Sequence, residues 1–195
     1  MNKTKIIAIA CALVLLVFLA LSAKVIDKGT EGQYTGEVAF DASASSGDDW
    51  DAVLAEITGK AEDITSVDLG SLGDGKAVTL KGAVSGFESK ASGKENTMTV
   101  APEGYSGDAV FTVQLGSIYS GTAIRDTQTV KAFGDFTNQT EWSAYAKALN
   151  SEMHDKVVVP LNIDEGIQGK TVTIVGAATG SGSDINITPV AITIE

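Results

Sequence analysis

The chain has 195 residues, 44% of them hydrophobic, and a formal net charge of −11 at neutral pH. That apolar content excludes a disordered chain, and the acidic balance excludes nucleic acid as a partner, because binding phosphates needs the opposite sign. Twenty-one glycines against three prolines, together with many Thr and Val, point to strands joined by tight turns and not to a helical bundle.

Residues 1–23 read MNKTKIIAIACALVLLVFLALSA. Lys3 and Lys5 precede an uncharged apolar run from Ile6 to Ala23. As a helix those 18 residues span about 27 Å, enough for a bilayer core. The basic start stays in the cytoplasm, so everything after Lys24 is exported. The expectation is an uncleaved membrane anchor at residues 6–23 that holds the chain on the extracytoplasmic, periplasmic side of the cytoplasmic membrane. The alternative is a signal peptide cleaved after Ser22, with small residues at Ala20 and Ser22. Cys11, the sole cysteine, follows Ala8-Ile9-Ala10 and resembles a lipidation site. It stands too early for one, with five apolar residues before it and twelve after, and reads as a small apolar residue of the anchor. The exported part therefore has no disulfide, and its core supplies the stability. Removing Lys3 and Lys5 leaves 12 basic residues against 25 acidic ones, a net of −13, which disfavours docking on anionic headgroups.

Residues 24–38 read as a tether, and residues 39–76 as a small helical segment. In the latter, Trp50, Val53, Leu54, Ile57, Ala61 and Ile64 keep the spacing of one helical face. Asp48 or Asp49 would cap its start, and Gly59 would split it in two.

From Ala77 the period becomes two. Val78, Leu80 and Val84 share one side, as do Met98 with Val100, and Ala109 with Phe111, Val113 and Leu115. Residues 88–95 form a polar turn between the first two strands. A helix comes next at 139–154, with Asn138 and Glu141 in the pattern of a capping box and Trp142, Tyr145, Ala146, Leu149 and Met153 on one face. Two more strands close the chain, KTVTIVGAA and INITPVAITIE. In the last, Ile185 and Ile187 share one phase and Val190, Ile192 and Ile194 the other, so Pro189 marks a bulge or bend. The expected fold is α+β, mainly β: a five-stranded OB-like barrel over 77–195, with a helix between strands 3 and 4 and a helical segment before it.

Several segments together resemble the predicted periplasmic lipoprotein family of unknown function, domain of unknown function 2291: GSIYSGTAIRD, DFTN, ALNSEMHDKVVVP, GKTVTIVGA and ITPVAITIE. The resemblance spans residues 39–195 and is strongest from Gly116 onward. It implies an exported or membrane-anchored protein with a helical part and an OB-like part. It also implies an association with sugar ABC-transporter components, and it implies no activity. The placement of Cys11 departs from the lipoprotein label.

Arg125 is the only arginine beside thirteen lysines. A guanidinium offers a planar fork to a carboxylate or phosphate, which an ammonium does not. Arg125 is expected at the end of the third strand, near the barrel mouth, with Gly121 admitting another backbone close by. Asp126 would then point to the opposite face and would not be its main partner. Arg125 is read as a clamp within the fold, or as a ligand contact together with Asp126 and Gly121. Trp50 and Trp142 are read as core residues, with a sugar platform as the alternative. His154, the only histidine, suits a helix C-terminus, and no metal site, cofactor or catalytic set is expected around it. Asp48, Asp49 and Asp51 lack the spacing of a calcium loop. The glycine-rich stretch 176–184 joins two strands and is no phosphate loop. The expected role is a non-enzymatic accessory or binding module for a small solute or a transport partner, or else a structural or assembly protein of the envelope.

Overall fold

The computed structural model describes residues 39–119 and 121–195. The expected anchor and tether lie outside the described residues. Among the described residues no helix is long and apolar enough to cross a membrane. The helical segment and the barrel belong to one compact unit, Asp41–Glu195.

Helix α1 spans Ala42–Lys60 without a break at Gly59. Its cap is Asp41, whose carboxylate accepts from the backbone N–H of Ser43 and Ala44 at 3.0 Å. Asp48 and Asp49 lie inside the helix, not at its start. The serine-rich run continues the helix because Ser46, Trp50, Val53 and Ile57 form one buried stripe. Leu54 is only half-buried, and Ala61 already ends the helix. Ile64 is buried beyond it, after the two-residue strand β1, Glu62–Asp63.

The barrel strands are β2 (Lys76–Glu88), β3 (Thr97–Pro102), β4 (Val110–Gln114), β5 (Thr171–Ser181) and β6 (Asp184–Ile194). β2 is long enough to serve two neighbours. Its first half, Lys76 to Ala83, pairs antiparallel with β5, and its second half, from Gly82 on, pairs antiparallel with β3. A register shift between Val84 and Gly86 bends the strand where it changes partners. β3 pairs with β4, β4 runs parallel to β6, and β6 pairs with β5. The circuit β2-β3-β4-β6-β5-β2 closes a mixed five-stranded barrel with the OB strand order, and β1 adds to β2 in parallel. Most of the expected inward residues fill it: Val78, Leu80, Val84, Met98, Val100, Phe111, Val113 and Leu115 are buried, while Ala109 precedes β4 and is only half-buried. The phase change in β6 is also present. Val175 pairs with Ala191 and Gly176 with Pro189, so Val190 is the extra residue; Ile185, Ile187, Val190 and Ile192 are buried on either side of Pro189, and Ile194 at the strand end is only half-buried.

Between β4 and β5 the chain leaves the barrel. Helix α2, Ala123–Thr127, buries Ala123 and Ile124. Helix α3, Gln139–Met153, buries Tyr145, Ala146, Leu149 and Met153. Asn138 caps α3, accepting from the N–H of Thr140 and Glu141 at 2.9 and 3.0 Å. Glu141 reaches back to the N–H of Thr137, one residue earlier than in a closed capping box. Asn138→Ala is expected to lower stability by about 1 kcal/mol, read as an earlier urea midpoint.

Candidate functional site

Arg125 does not end the third strand. β4 stops at Gln114, and Arg125 lies in α2. Apolar Ala123 and Ile124 fit a strand end and a buried helical turn equally well, and the surrounding core selects the turn. That geometry also decides the pairing. Successive side chains alternate across a strand but not on a helix, so Asp126 is within reach after all. The Arg125 Nε and Nη2 donate to the two Asp126 carboxylate oxygens at 2.8 and 3.0 Å. The guanidinium carbon sits 4.5 Å from the Trp142 ring centroid, on α3. Arg125 and Asp126 side chains are 11% and 18% exposed, so the pair is largely withdrawn from water.

Trp142 belongs to an aromatic group more than to the core, since it is half-buried. Phe136 lies 5.0 Å from it, Tyr145 stacks at 6.2 Å, and Phe133 meets it edge-on at 6.3 Å. Phe133 stays 50% exposed at the edge of this group. The Tyr145 hydroxyl donates to Asp49 at 3.0 Å. Burial, with the Asp49 charge and hydrogen bond, raises its phenol pKa far above the ordinary value, so it remains a donor.

The segment after α2 is locked in place by two side chains. Gln128, 4% exposed, donates to the carbonyls of Arg125 and Lys131 at 3.0 and 2.8 Å and accepts from the Lys131 N–H at 2.8 Å. The Glu56 carboxylate of α1 accepts from the Thr129 N–H at 2.8 Å and its hydroxyl at 2.6 Å, and pairs with Lys60. Beside this segment lies an open, shallow cleft of about 320 Å³. Asp74, Arg125, Asp126, Lys131, Phe133 and Trp142 line it, with Thr129 at its side.

Burial alone would raise the Glu56 carboxyl, but the hydrogen bonds from Lys60 and Thr129 outweigh it and hold it below the ordinary carboxylate value. A depressed carboxyl contributes stability above its unfolded pKa, and that contribution is lost as pH falls through the folded pKa. Glu56→Gln is therefore expected to melt earlier than wild type at neutral pH. The difference closes as the pH is taken below the ordinary carboxylate range, which paired melting curves across pH check.

The structure brings Arg125, Asp126 and Trp142 to one cleft and leaves the other singled-out residues elsewhere. Gly121 is outside it. Its carbonyl accepts from Asn150 Nδ2 at 2.7 Å. A side chain there would strike the ring of Tyr119, so what approaches is a phenol and not a backbone. Trp50 is a core residue at 3% exposure, with the Lys156 ammonium 5.8 Å from its ring centroid. Pro189 is buried in β6. His154 Nδ1 lies 3.2 Å from the Leu115 carbonyl, tying the end of α3 to the end of β4. Sequence reasoning does not find Glu56, Asp74, Gln128, Lys131 and Phe133. Glu56 acts by a contact across the fold, Gln128 by local bonds to Arg125 and Lys131, and the others only by lining the cleft, and no spacing pattern marks any of these.

A family model described as a predicted periplasmic lipoprotein, a domain of unknown function, matches residues 69–193. The match takes in the barrel strands, but for the last residue of β6, and every residue that lines the cleft; Glu56, which fastens its loop, precedes it. No curated protein matches the chain. Among solved structures, an OB-fold protein from Thermotoga maritima is similar to it at 15% identity and a TM-score of 0.49. That similarity covers 80% of this chain and 99% of the other.

Proposed function

This chain belongs to the family of predicted periplasmic lipoproteins of unknown function, and from that premise we propose that it is a membrane-anchored, non-enzymatic binding or accessory module working on the outer face of the cytoplasmic membrane. The observation that carries the reading is the Arg125 cleft. It is preformed, its loop is fastened by Gln128 and Glu56, and it presents a half-exposed phenyl ring beside polar groups. A recognition surface that is rigid beforehand loses less ordering entropy on binding. The apolar run at residues 6–23, with lysines on its cytoplasmic side, supports the anchor. The partners implied by the family resemblance are components of a sugar ABC transport system, or the solute that such a system handles.

The test is co-purification of the tagged full-length chain from membranes, wild type against Phe133→Ala, with mass spectrometry of the captured proteins. The reading expects envelope transport components with the wild type and their loss with the variant. Carbonate extraction should leave the full-length chain in the membrane. Release of the protein by carbonate would remove the anchor from the reading.

A second reading, a structural or assembly protein of the envelope without a ligand, draws on a specific observation. The Arg125 guanidinium is already engaged by Asp126 and Trp142 and is only 11% exposed, on a closed barrel. Under that reading Phe133→Ala leaves the set of co-purifying proteins unchanged.

A further inference from the structure

The Arg125 cleft holds two charged groups that the fold itself does not use. Arg125 and Asp126 satisfy one another, and Glu56 is taken up by Lys60 and Thr129. Asp74 and Lys131 also line the cleft. Among the described residues, neither the Asp74 carboxylate nor the Lys131 ammonium enters an ion pair or a side-chain hydrogen bond, with each other or with any other group. Lys131 is nonetheless held still at its backbone, because buried Gln128 binds both its N–H and its carbonyl at 2.8 Å. Phe133 stands two residues later, in a turn closed by the Asp135 carboxylate on the Ala132 N–H at 2.8 Å. The Arg125 Nη1 also donates to no group among the described residues.

An unpaired anion and an unpaired cation in one concavity, with a half-exposed ring at the edge, complement a ligand that carries both charges and an apolar part. We propose that the cleft binds a small zwitterion of the α-amino acid type. Its ammonium faces Asp74, its carboxylate faces Lys131 and the spare Arg125 Nη1, and its apolar side chain packs against Phe133 beside Trp142. Single-charge ligands fit worse. A monoanion places its charge near the Asp74 carboxylate with nothing to pair it, a monocation does the same at Lys131, and a neutral polyol pairs neither charge. The cleft volume of about 320 Å³ admits a ligand of this size. The inference rests on the cleft being the module's working face; it keeps the transport components as protein partners and puts a zwitterion in place of the sugar as the small solute.

The experiment is calorimetry on the full-length chain in detergent, with L-phenylalanine, L-leucine and glycine as probes. Phenethylamine supplies the cation alone, 3-phenylpropionate the anion alone, and phosphoethanolamine the charges of a zwitterionic lipid headgroup. Saturable heat is expected with L-phenylalanine and L-leucine, and at least tenfold weaker binding with each single-charge analogue. Asp74→Asn and Lys131→Gln should each weaken binding at least tenfold with unchanged melting, since neither side chain holds the fold. Phe133→Ala should weaken L-phenylalanine more than glycine. The proposal is overturned if the single-charge analogues bind as well as the amino acids, if Asp74→Asn and Lys131→Gln bind like wild type, or if phosphoethanolamine binds in place of the amino acids. It is equally overturned by no heat from any probe on a protein that melts normally. Co-purification of transport components would still stand in that case, so failure of the ligand is distinct from failure of the module reading.

Discussion

Gly82→Ala is expected to be the most damaging single-methyl change in the barrel, costing about 3 kcal/mol or more and shifting the midpoint by roughly 6–12 °C for a unit of this size. Gly82 is where β2 changes partners, pairing with Val172 of β5 and with Pro102 of β3. A Cβ there would stand 2.7 Å from the Ala101 carbonyl carbon and 2.8 Å from the Pro102 Cα, and closer still to the Ala101 oxygen. All three are backbone atoms of the neighbouring strand, so no rotamer change relieves the clash, and either the β2–β3 pairing opens or β2 shifts. Gly59→Ala is the matched control. A Cβ at Gly59, in the last turn of α1, meets nothing within 4 Å. Removing a glycine from a helix stabilises by up to about 1 kcal/mol. Opposite signs in thermal melts of the two variants are the expected result. Equal and small effects would mean that barrel closure does not depend on the approach at Gly82.

Arg125→Ala is the second large effect, about 2–4 kcal/mol of destabilisation. The guanidinium supplies two charge-assisted hydrogen bonds to Asp126 and lies 4.5 Å from the Trp142 centroid. Charged hydrogen bonds and a partly desolvated cation–π contact together reach that range. The figure stays below that of a fully buried pair because Asp126, 18% exposed, recovers some hydration when its partner is removed. Arg125→Lys keeps the charge but loses the planar fork and the stacking, and is expected to cost about 1–2 kcal/mol. Trp142→Phe should lower the cost of Arg125→Ala, because the two act through one contact, and a double-mutant cycle measures that coupling. Unchanged melting in Arg125→Ala and Arg125→Lys would show that the residue does not clamp α2 to α3. It would leave ligand recognition as its role.

The two predictions differ in how far the sequence foreshadows them. GKAVTLKGAV already reads as a curved, glycine-interrupted strand, so a close approach near Gly82 is legible in the sequence. The Arg125 clamp is not. A position at a strand end, facing away from Asp126, comes from continuing a period-two pattern through Ala123 and Ile124. A five-residue helix such as α2 has no stability of its own, and it forms because burying Ala123 and Ile124 against the barrel and α3 outweighs the cost of nucleation. The spacing of Trp142 with Tyr145 and Leu149 predicts a core residue. It lies instead at the margin of that stripe, where the guanidinium covers it in place of another helix.

By itself the sequence determined the class of each long element, the order of the strands and the phase change at Pro189. These depend on which face of a local segment is apolar, and that face is written in periods of two and 3.6 residues. It also determined that everything beyond residue 23 carries a strong negative charge. Only the tertiary structure decided the helical state of Ala123–Thr127, the partner of Arg125, the cap at Asp41 in place of Asp48 or Asp49, and the membership of the cleft. The cleft draws Asp74 from the approach to β2, Arg125 to Phe133 from α2 and the loop after it, and Trp142 from α3, with Glu56 of α1 fastening the loop. Single polar contacts between such distant segments repeat nowhere along the chain. They leave no periodic trace, and barrel closure alone brings them together.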